Sequence, residues 1–141
     1  MGDKMKVVLE KGAYMPELAH ENDAGYDLRT PERVVLRKHD CADIDTGVRI
    51  AIPKDCFGEI KSKSGLSFNH SIECGAGTLD CGYTGTVHVK LYNHGGSHHI
   101  FNAGDKIAQL VIQPCLHPTL ETALSLKETD RGEGGFGSTG V

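Results

Sequence analysis

The sequence predicts an all-β fold of the sandwich, barrel or jelly-roll kind. Two observations support this prediction. Apolar and polar residues alternate with a period of two in several short runs rich in Val and Ile, and Gly, Pro and Asp separate these runs. In addition, residues 65–70 are the only segment whose pattern favours a short helix. A chain of 141 residues is long enough for one domain around a single core.

The clearest strand candidate begins at Val48. Here Val48, Ile50 and Ile52 alternate with Arg49 and Ala51, and a proline then ends the run. Four further runs have the same character and lie at residues 6–9, 33–36, 87–91 and 107–112. Many short strands in one small domain are typical of a sandwich, barrel or jelly roll.

The C-terminal part of the chain is less regular. Residues 120–126 are compatible with either a helix or a strand, and the preceding Pro118 together with the all-β context favours a strand. From Lys127 onward the composition changes to a polar, glycine-rich tail. We therefore predict a β-barrel domain over residues 1–126 and a C-terminal arm over residues 127–141.

Composition excludes several classes of function. The formal net charge of −4 argues against general nucleic-acid binding. The five cysteines are odd in number and show no Cys-x-x-Cys spacing, which favours reduced thiols in a cytosol-like compartment over a disulfide framework. No membrane-spanning run or secretory signal is predicted. The eight histidines show no recognised metal-ligand spacing, so exposed loop positions are the simpler interpretation.

The tail combines flexibility with groups that suit a nucleotide. Five of its last eleven residues are glycine. Arg131 can form a bidentate contact with phosphate oxygens, Ser138 and Thr139 can donate to the same oxygens, and Phe136 can cover a base. Its Gly-x-Gly-x-x-Gly spacing is not a dinucleotide-binding fingerprint, because only four residues follow it and none can form the required helix. Plain disorder is the alternative.

Two polar islands between the strands contain candidate phosphate contacts. In residues 61–66, Lys63 supplies charge, Ser64 a hydroxyl and Gly65 a close backbone approach. If Ser64 caps the short helix that follows, the N-terminus of that helix adds a favourable dipole. A surface turn with solvated lysines is the alternative. In residues 104–110, Gln109 is a polar side chain within an apolar run and needs a hydrogen-bond partner, which a phosphate or its water shell could be.

A third island, residues 75–85, predicts a β-hairpin whose glycines permit unusual dihedral angles. Its exposed backbone groups could recognise the edge of a base. Asp80 lies at the end of the hairpin, where a carboxylate either caps the loop or accepts a proton from an attacking water.

Together with residues 24–28 (Ala-Gly-Tyr-Asp-Leu) and the tail motif at residues 135–140, these islands resemble the five ordered motifs of the homotrimeric deoxyuridine triphosphatase (dUTPase) family. The resemblance implies a jelly-roll-like β-barrel and a threefold trimer whose three active sites lie between subunits, each completed by a third subunit's arm. It implies hydrolysis of dUTP to dUMP and pyrophosphate, with Mg²⁺ held by the triphosphate and waters and without a direct protein ligand. It also implies a cytoplasmic enzyme, or one in the nucleus or host-cell interior for a eukaryotic or viral source.

The resemblance also implies roles for individual residues. Asp80 would be the general base for water attack on the α-phosphorus, and Asp27 would organise the acidic, water-rich surroundings of the metal. Tyr83 would pack on the deoxyribose and exclude a 2′-hydroxyl. The other substrate contacts would be Gly75, Gly77 and Leu79 to uracil, Lys63, Ser64, Gly65 and Gln109 to phosphates, and Arg131, Phe136, Gly137, Ser138 and Thr139 from the arm.

Two departures and two alternative functions accompany this resemblance. Many relatives have arginine where this chain has Lys63, and an acidic residue where it has Gly82. The related dCTP deaminases share the barrel but have a catalytic glutamate at the position that corresponds to Lys90, which argues against deamination. A protein that binds dUTP without turnover, in a regulatory role, is the other alternative.

Overall fold

The computed structural model of the protein describes residues 4–140, which form eleven β-strands and one short helix. In chain order these are β1 (Val7–Leu9), β2 (Tyr26–Arg29), β3 (Val34–Leu36), β4 (Cys41–Asp45), β5 (Val48–Ile50), β6 (Cys56–Lys61), α1 (Ser64–His70), β7 (Ile72–Gly75), β8 (Thr78–Leu79), β9 (His88–Asn93), β10 (His99–Phe101) and β11 (Lys106–Pro114). The five predicted strands and the short helix are confirmed, with ends that lie within two residues of the predicted ones.

All strand pairs among the described residues are antiparallel, and they form four small sheets around one core. The largest sheet has the order β2-β11-β6-β8, and the three-stranded sheet has the order β4-β9-β7. The predicted all-β, jelly-roll-like barrel is confirmed. Its core is the inward face of the alternating strands, with the fully buried side chains of Leu28, Leu36, Ile72, Val89, Leu91, Phe101, Ile107 and Leu110.

The hairpin prediction for residues 75–85 is wrong. Strand β7 pairs with β9 and strand β8 pairs with β6, so residues 75–80 connect two different sheets; we call them the crossover turn. Ala76 and Gly77 both have positive φ angles, of 51° and 109°, which turn the chain sharply. The Ile60 N–H donates to the carbonyl of Gly77 at 2.7 Å and ties the turn to β6.

The prediction of a strand over residues 120–126 is also wrong. This segment is irregular, and its leucines have no core to enter: Leu120, Leu124 and Leu126 are 92%, 108% and 89% exposed. The last strand of the barrel ends at Pro114.

Two further features are the state of the cysteines and the length of the helix. All five cysteines are free. Among the residues that the structure describes, no helix is long and apolar enough to cross a membrane.

Candidate active site

A cleft of about 560 Å³ opens beside the crossover turn. It brings together five of the residues predicted to bind substrate or catalyse, which are Gly75, Gly77, Leu79, Asp80 and Tyr83. The backbone of the turn therefore faces a cavity of the size that small-molecule sites usually have.

Two glycines of the turn cannot be replaced without moving their neighbours. A Cβ on Gly75 would lie 2.3 Å from Cε2 of Tyr92, so the ring of Tyr92 lies directly against the backbone there. A Cβ on Gly77 would lie 2.7 Å from the carbonyl oxygen of Ile60, at a φ angle of +109° that already favours glycine. The shape of the cleft wall thus depends on these two close approaches.

Tyr83 is held at the edge of the cleft by its own hydroxyl. The hydroxyl donates to the carbonyl of Thr86 at 2.7 Å, and the phenol lies over Gly85, where a Cβ would come within 2.4 Å of the hydroxyl oxygen. The side chain is 42% exposed, so part of the ring remains open to a ligand. A fixed aromatic ring of this kind can pack against a sugar.

Asp80 projects from the same rim. Its backbone carbonyl accepts a hydrogen bond from the N–H of Tyr83 at 3.1 Å, which closes a tight turn between the two residues. Its carboxylate is exposed and makes no hydrogen bond or ion pair with any residue between 4 and 140. Of the two alternatives left open by the sequence, the carboxylate is therefore not engaged as a loop cap and is free to accept a proton.

A second cluster of predicted site residues surrounds Asp27 on β2. Its carboxylate is 5% exposed and forms ion pairs with Lys63 and with Lys106, whose Nζ lies 2.9 Å from Oδ2. Burial alone raises the pKa of the Asp27 carboxyl, but the hydrogen bonds and charges of the two lysines outweigh it and hold the pKa below its usual value. We call these three residues the Asp27 cluster.

Gln109 lies opposite Asp27 in the pairing of β11 with β2. Its amide nitrogen donates to the carbonyl of Ser62 at 3.1 Å, so its partner in this structure is a backbone carbonyl. Gly25 is required beside it, since a Cβ there would come within 2.6 Å of the Gln109 side-chain oxygen. Residues 24–28 and residues 104–110 are thus packed against each other.

The helix that follows Lys63 differs from the prediction at its start. Lys63 occupies the N-cap position without a side-chain cap, and Ser64 is the first helical residue, so the condition that Ser64 caps the helix is not met. Ser64 and Gly65 are both exposed, and a Cβ on Gly65 would meet no atom within 4 Å. Both residues are accessible to a ligand next to Lys63.

The described arm residues do not line the cleft, and their hydrogen bonds join residues that are close together in the sequence. Nε of Arg131 donates to the carbonyl of Gly134 at 2.7 Å, and Phe136 is fully exposed with a φ angle of 50°. Three further predicted contacts, Gly137, Ser138 and Thr139, are also exposed. In the structure of one chain, the described residues of the arm do not line the cleft. The three residues of the Asp27 cluster do not line it either.

Sequence reasoning missed several residues of this region. Lys106 binds Asp27, and Asp43, His88, Lys90 and Tyr92 line the outer side of the cleft. The sequence contained a signal for three of them. Because the residues at 87, 89 and 91 point inward, those at 88, 90 and 92 must share the outer face of β9.

A family model described as dUTPase matches residues 11–140. The chain belongs to the dUTPase family. A deoxyuridine 5′-triphosphate nucleotidohydrolase of Clostridium novyi (strain NT) is 43% identical over 97% of this chain and 100% of its own length. The rat protein of the same name is 40% identical over 95% of this chain and 65% of its own length.

Solved dUTPase structures have the same fold as this chain. A mutant dUTPase of Staphylococcus bacteriophage 80alpha, in complex with dUpNHpp, superposes with a TM-score of 0.89 at 31% identity and covers 99% of this chain and 100% of the phage chain. A mutant dUTPase from phage phi11 of S. aureus, described with a structural Mg(II) ion, has a TM-score of 0.83 at 29% identity over 89% of this chain and 100% of its own.

The acidic and other metal-ligating side chains of the described residues determine how this chain can hold a metal ion. Within residues 4–140 no three His, Cys, Asp or Glu side chains converge as metal ligands. The Asp27 carboxylate is already neutralised by two ammonium groups, which makes it a poor direct ligand for a divalent cation. Among the described residues the exposed Asp80 carboxylate has no ammonium group as an ion-pair partner, and it can bind a water of a hydrated ion.

Proposed function

We propose that this chain hydrolyses dUTP to dUMP and pyrophosphate by Mg²⁺-assisted attack of water on the α-phosphorus. The observation that carries this proposal is the Asp80 carboxylate at the rim of the cleft, which has no partner among residues 4–140 and lies beside the fixed ring of Tyr83. A carboxylate in this position can accept a proton from an attacking water. The reaction would limit uracil in DNA and supply dUMP for dTMP synthesis.

The cleft side of the reaction requires recognition of a pyrimidine and a deoxyribose. Backbone groups of the crossover turn at Gly75, Gly77 and Leu79 bind the edge of uracil, where a thymine methyl has no room. The ring of Tyr83 packs on the deoxyribose and excludes a 2′-hydroxyl. This proposal is supported by the close approaches of Tyr92 and Ile60 that fix the turn, because a fixed backbone can discriminate by shape.

The triphosphate side requires positive charge and hydrogen-bond donors. Lys63 supplies charge, and Ser64, Gly65 and Gln109 supply donors or close backbone approach. Asp27 keeps the ammonium groups of Lys63 and Lys106 together. The two lysine side chains therefore form a fixed phosphate-binding site and do not move independently. Asp27 thus acts as a positioning residue, and phosphoryl-type transfer depends mainly on such positioning and charge neutralisation.

Mg²⁺ fits this arrangement as an ion bound with the substrate. When bound, it neutralises charge on the phosphate oxygens. Asp80 keeps its free carboxylate for the water, and Lys63 contributes the remaining positive charge. The absence of a three-ligand cluster within the described residues is compatible with an ion that reaches the site on the triphosphate.

We propose a homotrimer in which each active site is shared between subunits. Two features support it. None of the three residues of the Asp27 cluster lines the cleft that contains Asp80, although a single dUTP must contact both. The segment after β11 also exposes apolar side chains, among them Leu116 at 92% and Leu120 at 92%, that a neighbouring copy would cover.

The arm, residues 127–141, then closes over a neighbour's site. Arg131, Ser138 and Thr139 bind the γ-phosphate, Gly137 lets the backbone approach it, and Phe136 covers the uracil. Val141 lies outside the described residues. The division into a barrel over residues 1–126 and this arm stays a prediction, as does a cytoplasmic location (or the nucleus or host-cell interior), which the five free cysteines support.

The experiment that tests the proposed function is pyrophosphate release, with Mg²⁺, from dUTP, dCTP, dTTP and UTP side by side, with ammonia also followed for dCTP. We expect release from dUTP alone. Ammonia from dCTP would instead indicate a deaminase. If neither pyrophosphate nor ammonia is released from any of the four nucleotides while dUTP still binds, the protein is a regulatory protein without turnover.

A further inference from the structure

The wall of the cleft contains a lysine that none of the motifs includes. Lys90 lies on β9 directly opposite Gly75 of the crossover turn on one side and Asp43 of β4 on the other. Its side chain lines the same cleft as Asp80 and Tyr83, and the residue is partly buried. It makes no salt bridge within residues 4–140.

The charged neighbours of Lys90 are occupied elsewhere. The Asp43 carboxylate binds Nδ1 of His88 at 2.9 Å, and Asp45 lies 3.6 Å from Nε2 of the same imidazole. The centroid of the Tyr92 ring lies 6.0 Å from Nζ of Lys90. The ammonium group therefore keeps donors available for a ligand in the cleft.

We propose that Lys90 is a specificity-determining residue that donates a charge-assisted hydrogen bond to the O4 carbonyl of uracil. This inference rests on the proposed function, because it requires the pyrimidine in this cleft. Lys90 is paired with Gly75, at the start of the turn that binds the base edge, so its ammonium group faces the same ligand from the adjacent strand.

The chemistry of the two pyrimidines explains the selectivity. Uracil presents a carbonyl at C4, which accepts a hydrogen bond, whereas cytosine presents an amino group, which donates one. An ammonium group has only hydrogen-bond donors. It therefore stabilises bound uracil through the C4 carbonyl, and it disfavours cytosine because the C4 amino group is also a donor. A site that leaves a buried polar group unpaired rejects the wrong substrate strongly. Thymine has the same O4 carbonyl, so Lys90 contributes nothing to the rejection of dTTP.

The test compares Lys90→Met, which keeps the length of the side chain but removes the ammonium group, with Lys38→Met as a matched change at an exposed lysine outside the cleft. We expect Lys90→Met to raise KM for dUTP by about 10- to 100-fold while kcat changes little. The preference for dUTP over dCTP falls by the same factor, and that for dUTP over dTTP is unchanged. Lys38→Met leaves all three values as they are.

A charge reversal gives a second readout that a structural role would not produce. Lys90→Glu places an acceptor where the donor was, so binding of dCTP improves relative to dUTP. An unchanged ratio of dUTP to dCTP in both Lys90 variants, with melting temperatures equal to that of the unaltered chain, would overturn the assignment.

The two proposals can fail separately. If the unaltered chain does not hydrolyse dUTP, the proposed function fails, and calorimetric titration of dUTP and dCTP into the same variants still decides the role of Lys90. A preference for dUTP that Lys90→Met abolishes supports the assignment, whereas no preference in the unaltered chain overturns it as well.

Discussion

The ammonium group of Lys106 lies 2.9 Å from Oδ2 of Asp27, a carboxylate that is only 5% exposed. Lys106 follows Gly104 at the start of β11, and Asp27 lies on the neighbouring strand β2. Together with Lys63, which binds the other oxygen, Lys106 makes the carboxylate the centre of a small charge cluster. The cluster thus joins three polar segments that are far apart in the chain, at residues 24–28, 61–66 and 104–110.

Replacing Asp27 should destabilise the protein in a pH-dependent way. Asp27→Asn leaves two ammonium groups close together and removes their shared counter-charge. We expect a loss of about 2 to 3 kcal/mol near pH 7, less than for a fully buried pair because both lysines are partly exposed. Urea denaturation of both proteins at several pH values measures it.

The direction of the pH dependence follows from the lowered pKa of Asp27. A carboxyl with a lower pKa in the folded state stabilises the protein above its unfolded pKa of about 3.9 and loses that contribution as pH falls through the folded value. The difference between the two proteins should therefore narrow below about pH 4. A constant difference from pH 7 to pH 3 would show that the ionised carboxylate is not the source.

A methyl group at Gly75 should deform the cleft. Gly75→Ala places its Cβ 2.3 Å from Cε2 of Tyr92, so the ring or the turn must move. We expect a loss of about 1 to 3 kcal/mol in stability and a clearly raised KM for dUTP. Gly96→Ala is the control, because a Cβ there meets no atom within 4 Å. If both variants retain normal KM values, the turn does not bind the base.

Asp80→Asn should separate binding from chemistry. The amide keeps the size of the side chain but cannot accept the proton of the attacking water, so kcat should fall by about 10²- to 10⁴-fold. The affinity for dUTP, measured by calorimetry, should change little because the carboxylate has no protein partner within the described residues. A variant that keeps most of its turnover would remove the general-base assignment.

Five of the eleven strands could be predicted from sequence because each of these five carries its own periodic signal. The alternation at residues 48–52 and 87–91 reflects burial of one face, which is a local property. The pairing of β7 and β8 was mispredicted because both strands flank a glycine-rich turn, and sequence does not show that each bonds to a different sheet. Residues 120–126 have an apolar pattern but no core to pack against in one chain.

The candidate site was predictable where a motif concentrated unusual residue types, as around Asp80 and Tyr83. It was not predictable where a residue acts through register. Lys90 and Lys106 look like ordinary solvated lysines in sequence, and only strand pairing places them beside Gly75 and Asp27. The sequence left open whether Ser64 caps the helix, and in the structure the helix begins at Ser64 itself.

Deleting the arm should remove activity without unfolding the barrel. Residues 131–141 follow the last strand and make only short local hydrogen bonds within the described part of the chain, so a truncation before Arg131 keeps the core intact. We expect a protein with an unchanged melting temperature, a mass near three chains by light scattering, and little turnover of dUTP. Unfolding on truncation would instead show that the arm is structural.

Complementation between two inactive variants shows whether one active site uses Asp80 from one copy and the arm from another. Asp80→Asn chains and arm-truncated chains, each nearly inactive alone, are co-expressed with different tags and purified as mixed oligomers. The mixed trimers should have about one third of the unaltered activity, because one of the three sites in each would combine an intact Asp80 with an intact arm from another subunit. Mixed oligomers that remain as inactive as either parent would contradict the shared site.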